Sequence, residues 1–268
     1  MSDMGMNLFE ASEQWRKRPA DERFLTLEEM LDACKGYAGQ AAEAVVNLED
    51  MRVDARENDL VVVGKEGADA RFTNWSFKQM CGRVAAPSEY LSRLPAPLAA
   101  DCINSGLRER RSDGKDSRIL FHRNGSLLVR AFTSDEYSRI WNWEVCQRLL
   151  GLQEAGWKVP PARPAYPGQP GTRKATVRDC LRLKSSGLSV KVGDEIAPAG
   201  LYASDHDMFV FMVNEEHRIE DGSPGGLGRG FFVSNSEVGA AAFKIKKFLY
   251  RYVCGNHIVW DVKGVEEI

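Results

Sequence analysis

The chain has 268 residues, 43% of them apolar and 28% charged, with a formal net charge of −2. That length can bury a core as one large domain or two smaller ones. The near-neutral balance excludes wholesale coating of nucleic acid, although local basic patches can still attract phosphate. No apolar run reaches the roughly 20 residues of a membrane helix, and "MSDMGMNLFEASEQW" lacks the basic start and apolar block of an export signal. No membrane partner and a cytoplasmic location are expected. Cys34, Cys81, Cys102, Cys146, Cys180 and Cys254 are scattered without a CxxC pair, which predicts reduced, mostly buried thiols and no zinc site.

In chain order, "NLFEASEQWRKRPADERF" reads as helical up to Pro19. "LTLEEMLDACKGYAGQAAEAVV" predicts a second helix, with Thr26 and Glu29 as a capping box and Leu27, Met30, Leu31 and Cys34 on one face. "MRVDARENDLVVVGK" reads as a hairpin turning at Glu57, Asn58 and Asp59. "NWSFKQMCGRV" and "PSEYLSRL" are short helices, and "PAPLAADCINSGLRERR" is a longer one with Leu98, Cys102, Ile103 and Leu107 as its core stripe. A second hairpin, "SRILFHRNGSLLVRAFT", turns at Asn124-Gly125. "WNWEVCQRLLGLQEAG" is helical and stops at Gly156.

Residues 157–174 hold Pro160, Pro161, Pro164, Pro167 and Pro170, which forbid a packed helix or central strand and mark a loop or linker. Strand patterns resume in "DMFVFMVN", "GRGFFVSN" and "FKIKKFLYRYV". The expected class is α+β: a helical N-terminal part, residues 1–156, and a mainly antiparallel sheet built largely by residues 175–268, packed together as one domain.

Few residues point to chemistry. "GGLGRG" at 225–230 lacks the lysine and hydroxyl residue of a P-loop and precedes a strand, so it reads as a flexible loop. "SDHD" at 204–207 resembles a metal cluster, but alternation in a strand would separate His206 from Asp205 and Asp207, and turn chemistry accounts for it. Cys254 and His257 lie three apart in β-like sequence, which sends their side chains to opposite faces and disfavours a thiolate pair. No metal site and no cofactor are expected, and whether the chain is an enzyme stays open.

The basic aromatic strand "KIKKFLYRY" says more. When extended, Lys244, Lys246, Phe248 and Tyr250 share one face, offering cations for phosphates and rings for bases. The bland alternative is an exposed face whose lysines discourage edge pairing. "RERRSDGKDSR", with Arg108, Arg110 and Arg111, would extend the basic track. In "VSNSEVG", Ser234, Asn235, Ser236 and Glu237 break an apolar stretch. They read as a polar crossing between core strands, with Asn235 and Glu237 bonding the backbone of a neighbouring segment. A ligand contact and catalysis are the other readings.

Four segments, "QWRKRPADERF", "NWSFKQMCGRVAAPSEYLSRLP", "LLVRAFTSDEYSRIWNWEV" and "GFFVSNSEVGAAAFKIKKFLYRYVCGNHIVW", resemble in order the phage/plasmid-like proteins called domain of unknown function 932. The similarity runs from about residue 14 to 260 and includes the pairing of "NSEVG" with "VCGN", hence Asn256. His257-Ile258 and the end at "VKGVEEI" depart from the family's pattern, which suggests a short member or a trimmed chain. The resemblance implies a mobile genetic element and supplies no reaction. Together with the basic segments it leads to an expected nucleic-acid-binding accessory protein of a phage, prophage or plasmid, preferring single-stranded DNA to duplex. An enzyme acting on nucleic acid or nucleotides, and a protein-binding module that inhibits a host factor, are the alternatives; homo-oligomerisation stays open.

Overall fold

A computed structural model describes residues 22–47, 50–64, 69–109, 116–159, 173–185, 190–196, 201–222, 226–252 and 259–267. The expected first helix, most of the proline-rich segment and the "CGN" turn lie outside them, and the strand at 259–267 is described by its backbone alone. The fold is α+β with largely antiparallel sheets. It divides into two compact units, one made of Met1–Lys35 and Ile140–Ile268, the other of Gly36–Arg139. This division differs from the expected segmentation, because the first described helix and the one following residue 140 belong with the C-terminal sheet.

Helix α1 (Leu27–Gly39) starts as its sequence predicts. Thr26 Oγ1 accepts from Glu29 N at 3.2 Å, while the Glu29 carboxylate accepts from Leu25 N at 3.1 Å. Leu27, Met30 and Cys34 are buried. The helix ends earlier than expected: "AAEAVVN" is strand β1 (Ala41–Asn47), paired with another strand along its whole length. Alanine favours helix only weakly as a prior, and a ladder of backbone bonds overrides it.

The unit Gly36–Arg139 continues with the hairpin β2 (Val53–Arg56) and β3 (Asp59–Val62), whose turn places Glu57 at φ 56°. It then runs through β4 (Ala70–Phe72), α2 (Asn74–Arg83), α3 (Ser88–Leu91), α4 (Ala96–Glu109) and the expected Asn124-Gly125 hairpin of β5 (Asp116–Asn124) and β6 (Ser126–Ser134). These strands form a sheet ordered β1-β5-β6-β4-β3-β2. Met80, Cys81, Ile103 and Leu107 pack against Val53, Ile119, Val129 and Phe132. In α4 the buried stripe is Ala99, Ala100, Ile103 and Leu107, whereas Leu98 and Cys102 are exposed. The expected stripe combined two faces about 140° apart, and only one of them meets the sheet. Asn104 on α4 covers edge strand β2, accepting from Val53 N at 2.9 Å and donating to Val53 O at 2.7 Å.

The other unit resumes with α5 (Asn142–Gly151), a 3₁₀ turn at Leu152–Ala155 and the left-handed Gly156 (φ 79°), the stop expected there. Next come β7 (Trp157–Lys158), β8 (Arg173–Lys174), α6 (Val177–Ser185), β9 (Glu195–Ile196), β10 (Leu201–Ala203), β11 (Met208–Ile219), β12 (Leu227–Asn235), β13 (Lys244–Tyr252) and β14 (Val259–Glu267). The main sheet runs β10-β11-β12-β13-β14, with β7 also on β11. Alternation along "MFVFMV" explains its unbroken apolarity, because both faces of β11 are buried. Met208, Val210 and Met212 join Leu27, Met30, Val145 and Leu149 from α1 and α5, while Phe209, Phe211 and Val213 join Tyr202, Phe232 and Phe248 in an aromatic cluster.

Candidate nucleic-acid interface and the polar crossing

Strand β13 is as extended as its alternation predicts. Its register sets Lys244 opposite Ser234, Lys246 opposite Phe232, Phe248 opposite Gly230 and Tyr250 opposite Gly228. The aromatic half of the expected binding face is not a solvent face. Phe248 is only 2% exposed, stacked on Phe211 at 5.2 Å and 19°, with Phe232 at 6.4 Å. Its ring lies over the Gly230 backbone, where a Cβ would come within 2.2 Å of it. Gly230 therefore belongs to a strand and makes room for an aromatic ring; the "GGLGRG" stretch is not simply a loop, since Leu227–Asn235 is strand. The side chain of Tyr250 lies outside the described residues.

The lysines differ from the rings. Lys244 and Lys247 are exposed and Lys246 is half-buried. Glu267 and Glu266 stand opposite Lys246 and Lys247 in the β13–β14 register. Arg108 is exposed in the last turn of α4, in the other unit; Arg110 and Arg111 lie outside the described residues.

The "SNSE" crossing is the best-defined polar assembly in the C-terminal sheet. Asn235 closes β12 and donates through Nδ2 to Ile140 O and to Asn142 Oδ1, both at 2.8 Å. Glu237, 2% exposed, accepts from Asn142 N at 2.8 Å in the first turn of α5. Glu144 accepts from Trp141 N at 3.2 Å one step away. Two carboxylates thus satisfy donors that a helix start leaves without intrahelical partners, where the helix dipole also favours negative charge. Ser236 donates to His206 O and accepts from Ala240 N at 2.9 Å. Asn235 and Glu237 bond backbone groups of the segment leading into α5, as the sequence reading has it. Asn256 lies outside the described residues.

The bond to His206 brings "SDHD" to the same end of the sheet. Here it is the β10–β11 turn. Ser204 Oγ accepts from His206 N at 3.1 Å and Asp207 N at 3.2 Å, and Ser204 N donates to Asp207 O at 2.8 Å. The Asp205 carboxylate bonds the His206 ring, and Ser204 Oγ lies 2.9 Å from Asp207 Oδ1. This is the local side-chain-to-backbone chemistry of a serine turn. Among the described residues no group of three His, Cys, Asp or Glu side chains is placed to hold a metal ion. The polar motifs of the sequence converge, and what they hold in common is the turn, the crossing and the start of α5.

Sequence reading passed over two groups. Asn142 and Asn104 leave no motif, since their partners lie 93 and 51 residues away. The second is the run of cations around α6, which charge counting in a short window would have found.

No family model matches the chain, and no curated protein or solved structure matches it. No helix among the described residues is long and apolar enough to cross a membrane.

Proposed function

We propose that this chain is a nucleic-acid-binding accessory protein of a phage, prophage or plasmid, serving replication, recombination or host takeover. The observation that carries the reading is the lysine run at the start of β13, where Lys244 and Lys247 are exposed and the backbone is held in a ladder between β12 and β14. Charges on a rigid strand meet phosphates at little cost in ordering. With Phe248 inside the aromatic cluster, the grip is on the phosphate backbone rather than on stacked bases. Such binding tolerates any sequence and weakens as salt rises. The resemblance to phage- and plasmid-borne proteins supplies the setting.

Gel-shift titration against single- and double-stranded DNA and RNA, with and without divalent metal, tests the reading. Retardation at low salt that is lost at high salt, without dependence on sequence, is the expected result. No retardation of any nucleic acid at low salt would sink it, and shortening of the probe in metal would favour the nuclease alternative instead.

A further inference from the structure

A second concentration of positive charge lies away from β13. Residues 173–191 hold six cations, Arg173, Lys174, Arg178, Arg182, Lys184 and Lys191, against one carboxylate, Asp179, in a chain whose net charge is −2. That carboxylate is buried and accepts from Thr176 N at 2.7 Å and from Thr176 Oγ1 at 2.8 Å, capping α6. Asp194 and Glu195 follow the segment, yet counting both still leaves three positive charges in surplus.

The local fold holds these cations together. Ala175 packs with Leu25, Val190 and Ile196, and Cys180 sits against that cluster, which fixes the inner side of α6. The outer side presents Val177, 62% exposed, Leu181, 67% exposed, and Lys184 at successive turns. Arg178 and Arg182 are further cations of the same helix. Lys191 arrives on a turn tied to the approach of α6, with Ala175 N donating to Asp194 O at 2.8 Å and Gly193 N to Ala175 O at 2.9 Å. Lys174 and Lys191 are both exposed. The result is a short basic helix and a basic turn hydrogen-bonded into one lobe.

We infer that this lobe, rather than β13, supplies most of the phosphate contacts, and that its ligand is duplex DNA. This rests on the nucleic-acid reading above and narrows it. Residues 173–196 contain no Phe, Tyr or Trp, so the lobe lacks the rings on which single strands are stacked. A helix of nine residues is about 13 Å long, a size that lies along or in a duplex groove roughly 12 Å wide. Leu181 and Val177 then stand where a helix meets sugar or thymine methyl groups. The same two residues would form the centre of a protein interface, and the test separates the two.

The experiment uses the full chain and a labelled mixed-sequence duplex, with a single strand of the same length as comparison, titrated between about 50 and 200 mM salt. The triple variant Arg178→Gln, Arg182→Gln, Lys184→Gln should reduce the steepness of the duplex salt dependence by about 2–3, near 0.9 for each contact removed. The pair Lys174→Gln, Lys191→Gln, which leaves the helix untouched, should lower it by about 1–2 and guards against misfolding of the first variant. Val177→Ser with Leu181→Ser should leave the slope unchanged. The inference is overturned if both sets of cation variants keep the parent slope while Lys244→Ala with Lys246→Ala lowers it, in which case nucleic-acid binding stands and its surface is β13. It is also overturned if single strand binds more tightly than duplex, or if the parent binds no nucleic acid at all. That last outcome, and it alone, removes the broader reading as well.

Discussion

The crossing between β12 and β13 and the lobe around α6 are both conspicuously polar in sequence, and the structure treats them in opposite ways. In the crossing, Asn235, Ser236 and Glu237 are buried, Asn235 donating to Ile140 O, Ser236 donating to His206 O and Glu237 accepting from Asn142 N. In the lobe, Lys174, Lys184 and Lys191 are exposed beside two exposed aliphatic residues. A buried polar group without partners is costly, so a folded chain places such residues where backbone groups need them. An exposed surplus of like charge repels itself and stabilises nothing. Polarity that the fold consumes is structural; polarity that the fold leaves at the surface is the better guide to a partner.

The contrast makes a double expectation: variants of the buried set lose stability and keep the salt dependence of binding, and variants of the exposed set do the reverse. The largest loss belongs to Phe248→Ala, about 3–5 kcal/mol of unfolding free energy in urea titration, because its ring fills the space over Gly230 and stacks on Phe211. A loss under 1 kcal/mol would show that the ring is not held in the cluster. Glu237→Ala should cost about 1–3 kcal/mol by leaving Asn142 N without its acceptor, and Glu237→Gln, which keeps an oxygen there, should cost less. Equal losses for the two would break the assignment of Glu237 to the helix start. Gly230→Ala should cost about 1–3 kcal/mol through overpacking.

A smaller effect comes from Cys81, whose thiol burial pushes it up to about 11 from 9.0. Because the folded thiol holds its proton more tightly than the unfolded one, its contribution is intact below pH 9 and is lost as pH rises towards 11. Stability should fall over that window in the parent and fall less in Cys81→Ala; the same slope in both would remove Cys81 as the cause. The smallest change in stability, within about 0.5 kcal/mol, is expected for Lys244→Ala with Lys246→Ala, whose effect should appear in binding instead.

Much of this arrangement was legible in the sequence where the signal is local. The Thr26 start of α1, the Glu57–Asn58 and Asn124-Gly125 hairpins and the Gly156 stop all depend on residues within a few positions of one another. The alternation of β13 was equally readable; which of its faces is covered was not, because that depends on Phe211 and Phe232 in other strands. The same limit explains β1, where pairing with β5 outweighs a helix-favouring composition, and α4, where only the sheet decides which of two apolar stripes is the inner one. For the crossing, the sequence indicated that Asn235 and Glu237 bond a neighbouring segment but gave no means of finding Asn142, 95 residues from Glu237. The cations of α6 were in plain view, and a windowed count of charge, rather than a search for rings and lysines together, was what would have found them.

The most direct test of the proposal that surface cations, and not the buried polar and aromatic residues, do the binding is the salt dependence of DNA affinity compared between the parent and Glu237→Gln, at a temperature where both are fully folded. The account predicts that both bind, with the same slope of log affinity against log salt and a steepness of at least about 4, equivalent to about five released counterions. Binding that is insensitive to salt, or that disappears in folded Glu237→Gln while the parent retains it, would contradict the account and make the buried crossing the site.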